Sequence, residues 1–251
     1  MAKNEAPIAV FDSGLGGISV LRELVKLMPE EYYLYYGDNA NAPYGDRTTE
    51  NVRALTLAAA EMLFDRGAKA LVVACNTATA ASIEILRETW PHKIIVGIEP
   101  AVKLAADHRA GSIGVMATAV TLREEKLANL IHRFSDQEFF SICPPGLVPL
   151  IEAGASTEEL IAYLEPVLSP YRGKLDAMVL GCTHYPFARD AISVILPGVK
   201  LVDGGAGTAR QTQRLLAQAD LLNRGEGKIQ IENSAADPGF VLRAMAFLEE
   251  E

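Results

Sequence analysis

The fold of this chain is decided by one short stretch near its start, Ile8-Ala9-Val10-Phe11-Asp12-Ser13-Gly14-Leu15-Gly16-Gly17. Its first four residues are apolar, as in a buried strand, and the turn that follows them is rich in glycine. Apolar side chains then recur at helical spacing from Ile18 to Met28, where Pro29 ends the pattern. The stretch therefore predicts a strand that passes through a tight turn directly into a helix.

The same alternation of strand and helix continues along the first part of the chain. Short apolar runs predict strands at 32–36, 70–74 and 93–96, and helical patterns cover 49–66 and 76 to about 90. The strands are almost continuously apolar, which is typical of a sheet that is covered on both faces. Strands and helices that alternate with short connections predict an α/β fold with a parallel sheet.

A second, similar set of elements follows the first. Strands are predicted at 112–116, 138–142, 175–180 and 199–202. Thr121 with Glu124, and Ser156 with Glu159, have the spacing of capping boxes at the start of helices, the first of which runs to about 134. A further helix covers 187–195. The two segments can be aligned along the sequence in one register, in which Cys75 corresponds to Cys182 at the ends of equivalent strands. This internal match predicts two structurally similar halves.

The predicted domains are 1–97 together with 207–251, and 98–206. The last part of the chain does not continue the second set of elements. Its pattern predicts a helix at 208–224, an alternating edge strand at 228–232 and a short helix at 240–250. We expect it to return to the first domain.

Composition and charge exclude several classes of protein. The chain has 251 residues, 49% of them hydrophobic and 22% charged, which is ordinary for a globular protein and excludes a disordered chain. A net charge of −9 disfavours binding to nucleic acid or to an anionic membrane surface. The odd count of three cysteines fits a reducing compartment, and the N-terminus has no apolar signal core. We therefore expect a cytoplasmic protein without a membrane span.

Polar residues follow the predicted strands of both halves at the edge where parallel sheets bind ligands. They are Asp12-Ser13, Asp38, Cys75-Asn76-Thr77, Thr118 and Cys182-Thr183-His184. Each half thus places one cysteine at the end of its third strand. If the two edges face one another, the two thiols lie on opposite sides of one cleft.

Two facing thiols suit a reaction that inverts the configuration at a carbon. One thiolate can remove a proton from one face while the other thiol delivers a proton to the opposite face, and the roles exchange in the reverse reaction. A predicted helix follows each cysteine, so the helix N-terminus favours the thiolate. Helix N-termini and nearby hydroxyl and amide groups would supply the donors for a dianionic substrate.

Other interpretations of these residues stay open at this stage. A cysteine at a strand end is often a small buried hydrophobic residue, and Cys143 has no counterpart that argues otherwise. Cys182 and His184 with another cysteine could bind zinc, although a structural zinc site has four closely spaced ligands. His184 could be a hydrogen-bonded core residue, and Cys75 could form a disulfide with Cys182 on oxidation. A non-catalytic binding module is a further alternative.

A dinucleotide-binding site is a more specific alternative, because it has its own sequence motif. Gly14 and Gly16 follow a strand and open a helix, and Asp38 ends the next strand, which approximates the dinucleotide-binding fingerprint. The third glycine position is occupied by Ser19. Asp12 also precedes the loop directly, where its carboxylate would repel a pyrophosphate. Both features weaken this interpretation.

The chain resembles the bacterial glutamate racemases, which are cofactor-independent members of the aspartate/glutamate racemase superfamily. The resemblance extends from about residue 8 to 205 and is carried by four motifs. They are Phe11-Asp12-Ser13-Gly14-Leu15-Gly16-Gly17, Tyr36-Gly37-Asp38 with Pro43-Tyr44-Gly45, Ala74-Cys75-Asn76-Thr77-Ala78-Thr79, and Leu180-Gly181-Cys182-Thr183-His184-Tyr185-Pro186. Asn41 departs from the family pattern, because many members carry an arginine at this position.

The resemblance implies two flavodoxin-like domains related by a pseudo-twofold axis, with the active site in the cleft between them. It implies that Cys75 takes the α-proton of D-glutamate and Cys182 that of L-glutamate, assisted by Asp12 and His184, without pyridoxal phosphate or a metal. Substrate-binding roles follow for Ser13, Tyr44, Gly45, Asn76, Thr77, Thr118, Thr121 and Thr183. The resemblance also implies a homodimer that supplies D-glutamate for peptidoglycan synthesis, and hence for the cell wall and cell shape.

Overall fold

The computed structural model describes residues 3–107, 111–123, 125–235 and 237–249. The chain divides into two compact units, and both are described separately below. The first unit comprises Met1–Glu99 and Gly205–Glu251, and the second comprises Pro100–Gly204. Elements are numbered along the whole chain.

In the described part of the first unit, five parallel strands form one sheet in the order β4-β3-β1-β2-β9. The strands are β1 (Ile8–Asp12), β2 (Tyr32–Gly37), β3 (Ala70–Val73), β4 (Ile94–Gly97) and β9 (Lys228–Asn233). The helices of this unit are α1 (Ile18–Leu27), α2 (Thr49–Asp65), α3 (Asn76–Thr89), α10 (Gly205–Gln218) and α11 (Gly239–Glu249). The C-terminal segment therefore adds its strand to the outer edge of β2.

In the described part of the second unit, four parallel strands form a sheet in the order β6-β5-β7-β8. The strands are β5 (Ser112–Met116), β6 (Glu138–Ile142), β7 (Ala177–Leu180) and β8 (Lys200–Asp203). The helices are α4 (Val102–Asp107), α5 (Ala119–Arg123), α6 (Glu125–His132), α7 (Leu147–Glu152), α8 (Thr157–Leu168) and α9 (Arg189–Ile195).

The two sheets share one topology. Within each unit the first four strands lie in the order second, first, third, fourth, which is the flavodoxin-like arrangement. Equivalent hydrogen bonds join the ends of the central strands, from the Ala74 N–H to the Phe11 carbonyl (2.8 Å) and from the Gly181 N–H to the Met116 carbonyl (2.7 Å). The predicted class, two parallel α/β domains built on an internal repeat, is confirmed.

Burial explains why the strands read as continuous apolar runs. All four residues of β3 are fully buried, as are Ile8, Ala9 and Val10 of β1. Ile18, Leu21 and Leu24 line the buried face of α1, and each buried apolar side chain of this size contributes about 1.5–3 kcal/mol. The cores therefore hold the strand ends, and the polar residues that follow them, in fixed positions.

Several predicted boundaries change in the structure. Thr121 lies inside α5, and the Thr118 hydroxyl accepts a hydrogen bond from the Thr121 N–H (3.3 Å), so the proposed cap at Thr121 is wrong. Its predicted partner Glu124 lies outside the described residues. The capping box of Ser156 and Glu159 is confirmed at the start of α8.

None of the helices in the described ranges is both long and apolar enough to cross a membrane.

Candidate active site

Asp12 ends β1 at the carboxyl edge of the first unit's sheet and is completely buried. Its Oδ1 atom accepts a hydrogen bond from the Gly14 N–H at 2.9 Å, which turns the chain away from the strand. Its main-chain carbonyl accepts from the Asp38 N–H, also at 2.9 Å. The ends of β1 and β2 are thus tied together where the polar side chains emerge.

Cys75 lies at the same edge and caps α3. Its sulfur accepts a hydrogen bond from the Ala78 N–H at 3.4 Å and lies 3.7 Å from the Ser13 hydroxyl oxygen. The side chain is 5% exposed. The helix N-terminus and a backbone N–H both favour negative charge on this sulfur, so the site suits a thiolate.

Asn76 follows Cys75 as the first residue of α3 and is buried. Neither the oxygen nor the nitrogen of its amide has a hydrogen-bond partner among the described residues. Buried amides without partners are rare because desolvation is costly. A polar ligand beside Cys75 would satisfy both atoms. Thr77, the next residue, is buried in the same turn.

Tyr44 begins a short turn, Tyr44–Asp46, and its ring is buried against Phe11 with the ring centroids 6.3 Å apart. Its hydroxyl donates to Asp38 Oδ2 at 2.6 Å. Burial and the Asp38 carboxylate raise the pKa of Tyr44 far above its ordinary value, and the charges of Cys75 and Asp12 act in the same direction. Gly45, which follows it, is half-buried. The predicted residues of this unit therefore form one cluster.

Cys182 follows β7 at the carboxyl edge of the second unit's sheet. Its sulfur lies 3.8 Å from His184 Nδ1, and both side chains are buried. The other ring nitrogen of His184, Nε2, lies 2.7 Å from Glu152 Oε1. The three side chains form a continuous chain from carboxylate through imidazole to sulfur.

The charge state of His184 follows from these contacts. Burial by itself would lower the pKa of His184, because it disfavours the imidazolium. The hydrogen bonds and negative charges of Cys182 and Glu152 act in the opposite direction and raise the pKa to about 10. At neutral pH the imidazole is therefore protonated and can stabilise a thiolate at Cys182 or transfer a proton.

The helix predicted at 187–195 after Cys182 is present, but it begins later than expected. The residues after His184 form a 3-10 turn, Tyr185–Ala188, and α9 begins only at Arg189. Cys182 therefore lacks the helix N-terminus that Cys75 has. The cationic His184 provides the neighbouring positive charge in its place.

The remaining predicted residues of the second unit lie near the ends of its two central strands. Thr118 follows β5 and its hydroxyl lies 3.0 Å from that of Thr121, which is buried. Thr183 is buried next to Cys182. β5 and β7 are neighbours in the sheet, so all three threonines belong to the carboxyl edge that carries the sulfur.

Glu152 is the member of this group that sequence reasoning missed. It is the last residue of α7, a six-residue helix that was not predicted from the sequence. An acidic residue at the end of a short helix carries no local signal of its contact with a histidine 32 positions away.

The structure also bears on the alternative interpretations. Cys75, Cys143 and Cys182 form no disulfide. The residues of the described ranges include no group of three or more His, Cys, Asp or Glu side chains placed to hold a metal ion. The glycine-rich turn uses its own polar groups, because the Gly14 N–H binds Asp12 and the Gly14 carbonyl accepts from the Tyr35 hydroxyl at 2.7 Å. The first of these bonds occupies an N–H donor that a pyrophosphate would need.

Comparison with known proteins gives a consistent result. The model of the Asp/Glu/Hydantoin racemase family matches residues 9–212. Glutamate racemase from Ectopseudomonas mendocina is 49% identical over 230 residues, which cover 88% of this chain and 86% of the relative. Among solved structures, Francisella tularensis glutamate racemase in complex with D-glutamate superposes with a TM-score of 0.86 at 28% identity, covering 99% of this chain and 95% of that chain.

Escherichia coli glutamate racemase, solved with L-glutamate and the activator UDP-MurNAc-ala, superposes with a TM-score of 0.84 at 32% identity and covers 97% of this chain and 95% of that chain. The family match includes β2 to β8, nearly all of β1 and the residues that follow the central strands of both sheets. The resemblance inferred from the four motifs is confirmed, and the chain belongs to the Asp/Glu/Hydantoin racemase family.

Proposed function

We propose that this chain is a glutamate racemase that interconverts L- and D-glutamate by proton transfer through Cys75 and Cys182. One observation carries the proposal: each unit holds a buried cysteine, not in a disulfide, after the equivalent strand of the same topology. Relatives that bind D-glutamate and L-glutamate support the choice of substrate.

In the proposed reaction, one cysteine acts as thiolate and the other as thiol. With D-glutamate, the Cys75 thiolate takes the α-proton and the electron pair of the C–H bond remains on the α-carbon. The Cys182 thiol then gives its proton to the opposite face, which forms L-glutamate and leaves Cys182 as thiolate. The reverse reaction exchanges the two roles, so no net charge or proton is lost.

Each sulfur has groups suited to its role. Cys75 has the N-terminus of α3, with Asp12 in the same cluster as a proton-handling group. Cys182 has the His184 imidazolium, which Glu152 holds in place. The unsatisfied Asn76 amide, with Ser13, Tyr44, Gly45, Thr77, Thr118, Thr121 and Thr183, would bind the ammonium and carboxylate groups of the substrate.

The finer implications of the family resemblance belong to this proposal. We infer that the reaction needs no pyridoxal phosphate, takes place in the cytoplasm and supplies D-glutamate for peptidoglycan synthesis. We also infer a homodimer. Nucleic acid and membrane surfaces are not among the proposed partners, because the net charge is −9.

Proton exchange with solvent tests the proposal directly. The purified protein, incubated with L-glutamate in heavy water without added cofactor, should convert it to the racemic mixture and introduce deuterium at the α-carbon. With two bases, deuterium appears in the product before it appears in the remaining substrate. Polarimetry and proton NMR measure the two quantities in one sample.

Alanine substitutions identify the bases. Cys75→Ala and Cys182→Ala should each reduce racemisation by roughly a thousandfold or more, because each removes an acid or base from one face. Cys143→Ala is the matched control and should retain full activity, since this cysteine is exposed. Full racemisation by either of the first two variants would refute the two-base mechanism, and ligand binding without deuterium uptake would favour a binding module.

A further inference from the structure

Asn41 makes specific side-chain contacts in the loop that follows β2. Its Nδ2 atom lies 3.1 Å from Asp38 Oδ1 and 3.2 Å from Asp38 Oδ2, so the amide donates to the carboxylate. The hydroxyl of Tyr44 donates to Asp38 Oδ2 at 2.6 Å. One carboxylate thus joins two residues on either side of Ala42 and Pro43.

Asp38 needs these donors because it is buried, with 5% of its surface exposed. A buried carboxylate without hydrogen bonds carries a large desolvation cost. Arg47 also holds this loop in place through two hydrogen bonds. Arg47 Nε donates to the Asn41 carbonyl at 2.6 Å, and Arg47 Nη1 donates to Asn51 Oδ1 at 2.9 Å at the start of α2.

The same carboxylate is linked to the catalytic edge through the main chain. The Asp38 N–H donates to the Asp12 carbonyl at 2.9 Å, and the Asn41 N–H donates to the Asp38 carbonyl at 3.0 Å. A displacement of the turn at Tyr44 is therefore resisted both by the side chains and by the end of β2.

We propose that Asn41 and Asp38 are positioning residues that hold Tyr44 and Gly45 in the conformation that binds substrate. This rests on the proposed function, in which Tyr44 and Gly45 contact glutamate. In this assignment Asn41 acts through Asp38 and not by direct contact with the substrate. Its removal should therefore weaken substrate binding while leaving the proton transfer at Cys75 largely intact.

Steady-state kinetics with L-glutamate test this assignment. Asn41→Ala should raise KM about tenfold and change kcat by less than about threefold, because the lost contacts affect binding rather than proton transfer. Asp46→Asn is the matched control, since Asp46 is an exposed residue of the same loop. The control should leave KM within about twofold of the wild-type value.

A reciprocal exchange separates positioning from general structural damage. Asp38→Asn replaces one of the two acceptor oxygens with an N–H donor that faces another donor, and it should raise KM further than Asn41→Ala does. Combining Asp38→Asn with Asn41→Asp restores one donor opposite one acceptor, with the direction of the bond reversed, and should recover most of the lost affinity. Thermal unfolding of each variant gives the folded fraction at the assay temperature.

The outcomes distinguish the two proposals. A wild-type protein that does not racemise glutamate would overturn the proposed function. An active wild-type protein with an unchanged KM in Asn41→Ala, or with a loss confined to kcat, would overturn the positioning role. Failure of the reciprocal exchange to lower KM below that of Asp38→Asn would also overturn it. Calorimetric titration with D-glutamate provides the affinity independently of turnover.

Discussion

His184 lies between a sulfur and a carboxylate, and this position determines how its charge responds to pH. Its pKa, raised to about 10, keeps it cationic through the neutral range. Of its two partners, only Glu152 lies outside the proposed proton-transfer step, so it is the residue through which the His184 pKa can be changed without removing a sulfur.

Glu152→Gln should lower the pKa of His184, because it replaces a charged acceptor with a neutral one. The alkaline limb of the pH–rate profile should move to lower pH, and kcat should fall roughly tenfold. Nitrogen NMR of the imidazole measures the titration directly. Glu138→Gln, at an exposed position of β6, is the matched control. A wild-type imidazole that titrates near 6.5 would contradict the assignment.

The contact between His184 and Glu152 also makes the free energy of unfolding depend on pH. The folded-state pKa of His184 lies above its ordinary value of 6.5, so its protonation stabilises the fold fully below about pH 6.5. This contribution is lost as the pH rises through about 10. The difference in unfolding free energy between the wild-type protein and Glu152→Gln should therefore shrink over that interval, as measured by urea unfolding.

Sequence reasoning found the residues whose position along the chain reveals their place in the fold. Cys75 and Cys182 directly follow strongly apolar strands, so the parallel topology alone puts them at a ligand-binding edge. Glu152 and Asn41 could not be found in this way. Their importance depends on contacts made by loops and by a short helix, which leave no periodic pattern in the sequence.

At the scale of elements, the turn from β1 to α1 is packed more tightly than its glycine content alone suggests. A Cβ atom on Gly17 would lie 2.5 Å from the Asp12 Cβ and 3.1 Å from the Ala74 Cβ. The start of α1 therefore lies directly against the residues at the ends of β1 and β3. The conformation of this turn and the position of Asp12 depend on one another.

Gly17→Ala should destabilise the protein by about 1–3 kcal/mol through overpacking and should reduce racemisation by displacing Asp12. Gly207→Ala is the matched control, because Gly207 is an exposed residue of α10 with no atom within 4 Å of the added methyl group. That change should stabilise the helix by up to about 1 kcal/mol. Chemical unfolding and initial rates measure both effects, and equal stability of the two variants would contradict the packing argument.

Strands were easier to predict than helix ends. β5 and β6 match their predicted bounds. α10 ends at Gln218 and not at 224, since Asp220 adopts a positive φ of 53° and turns the chain. Aspartate tolerates this conformation better than most residues, but its presence alone does not distinguish a helix end from a helix interior.

At the scale of the whole molecule, a buried ion pair joins distant parts of the first unit. Lys69 Nζ lies 2.5 Å from Glu31 Oε2, with side-chain exposures of 3% and 1%. The same ammonium donates to the carbonyls of Asn4 and Leu221, and Glu31 Oε1 accepts from the Asn223 N–H. The ion pair therefore holds the N-terminal segment and the connection from α10 to β9 against each other through these hydrogen bonds.

Glu31→Gln should destabilise the protein by about 3–5 kcal/mol, because it leaves the Lys69 charge buried without a counter-charge. Glu165→Gln is the matched control, since its pair with Arg172 is largely exposed and is worth at most about 1 kcal/mol. Urea unfolding followed by circular dichroism measures both. Hydrogen exchange should show the extra opening of Glu31→Gln concentrated around Leu221 and Asn223, and uniform protection there would contradict this role.

The pairing of β9 with β2 has a consequence for how the protein is made. On the ribosome, Tyr32–Gly37 emerges almost two hundred residues before its neighbour Lys228–Asn233. Until residues 228–233 are translated, β2 therefore has no partner strand on its outer edge, whereas the four described strands of the second sheet are already part of the nascent chain. A chaperone that recognises bare strand edges would find its target in the half of the protein that is synthesised first.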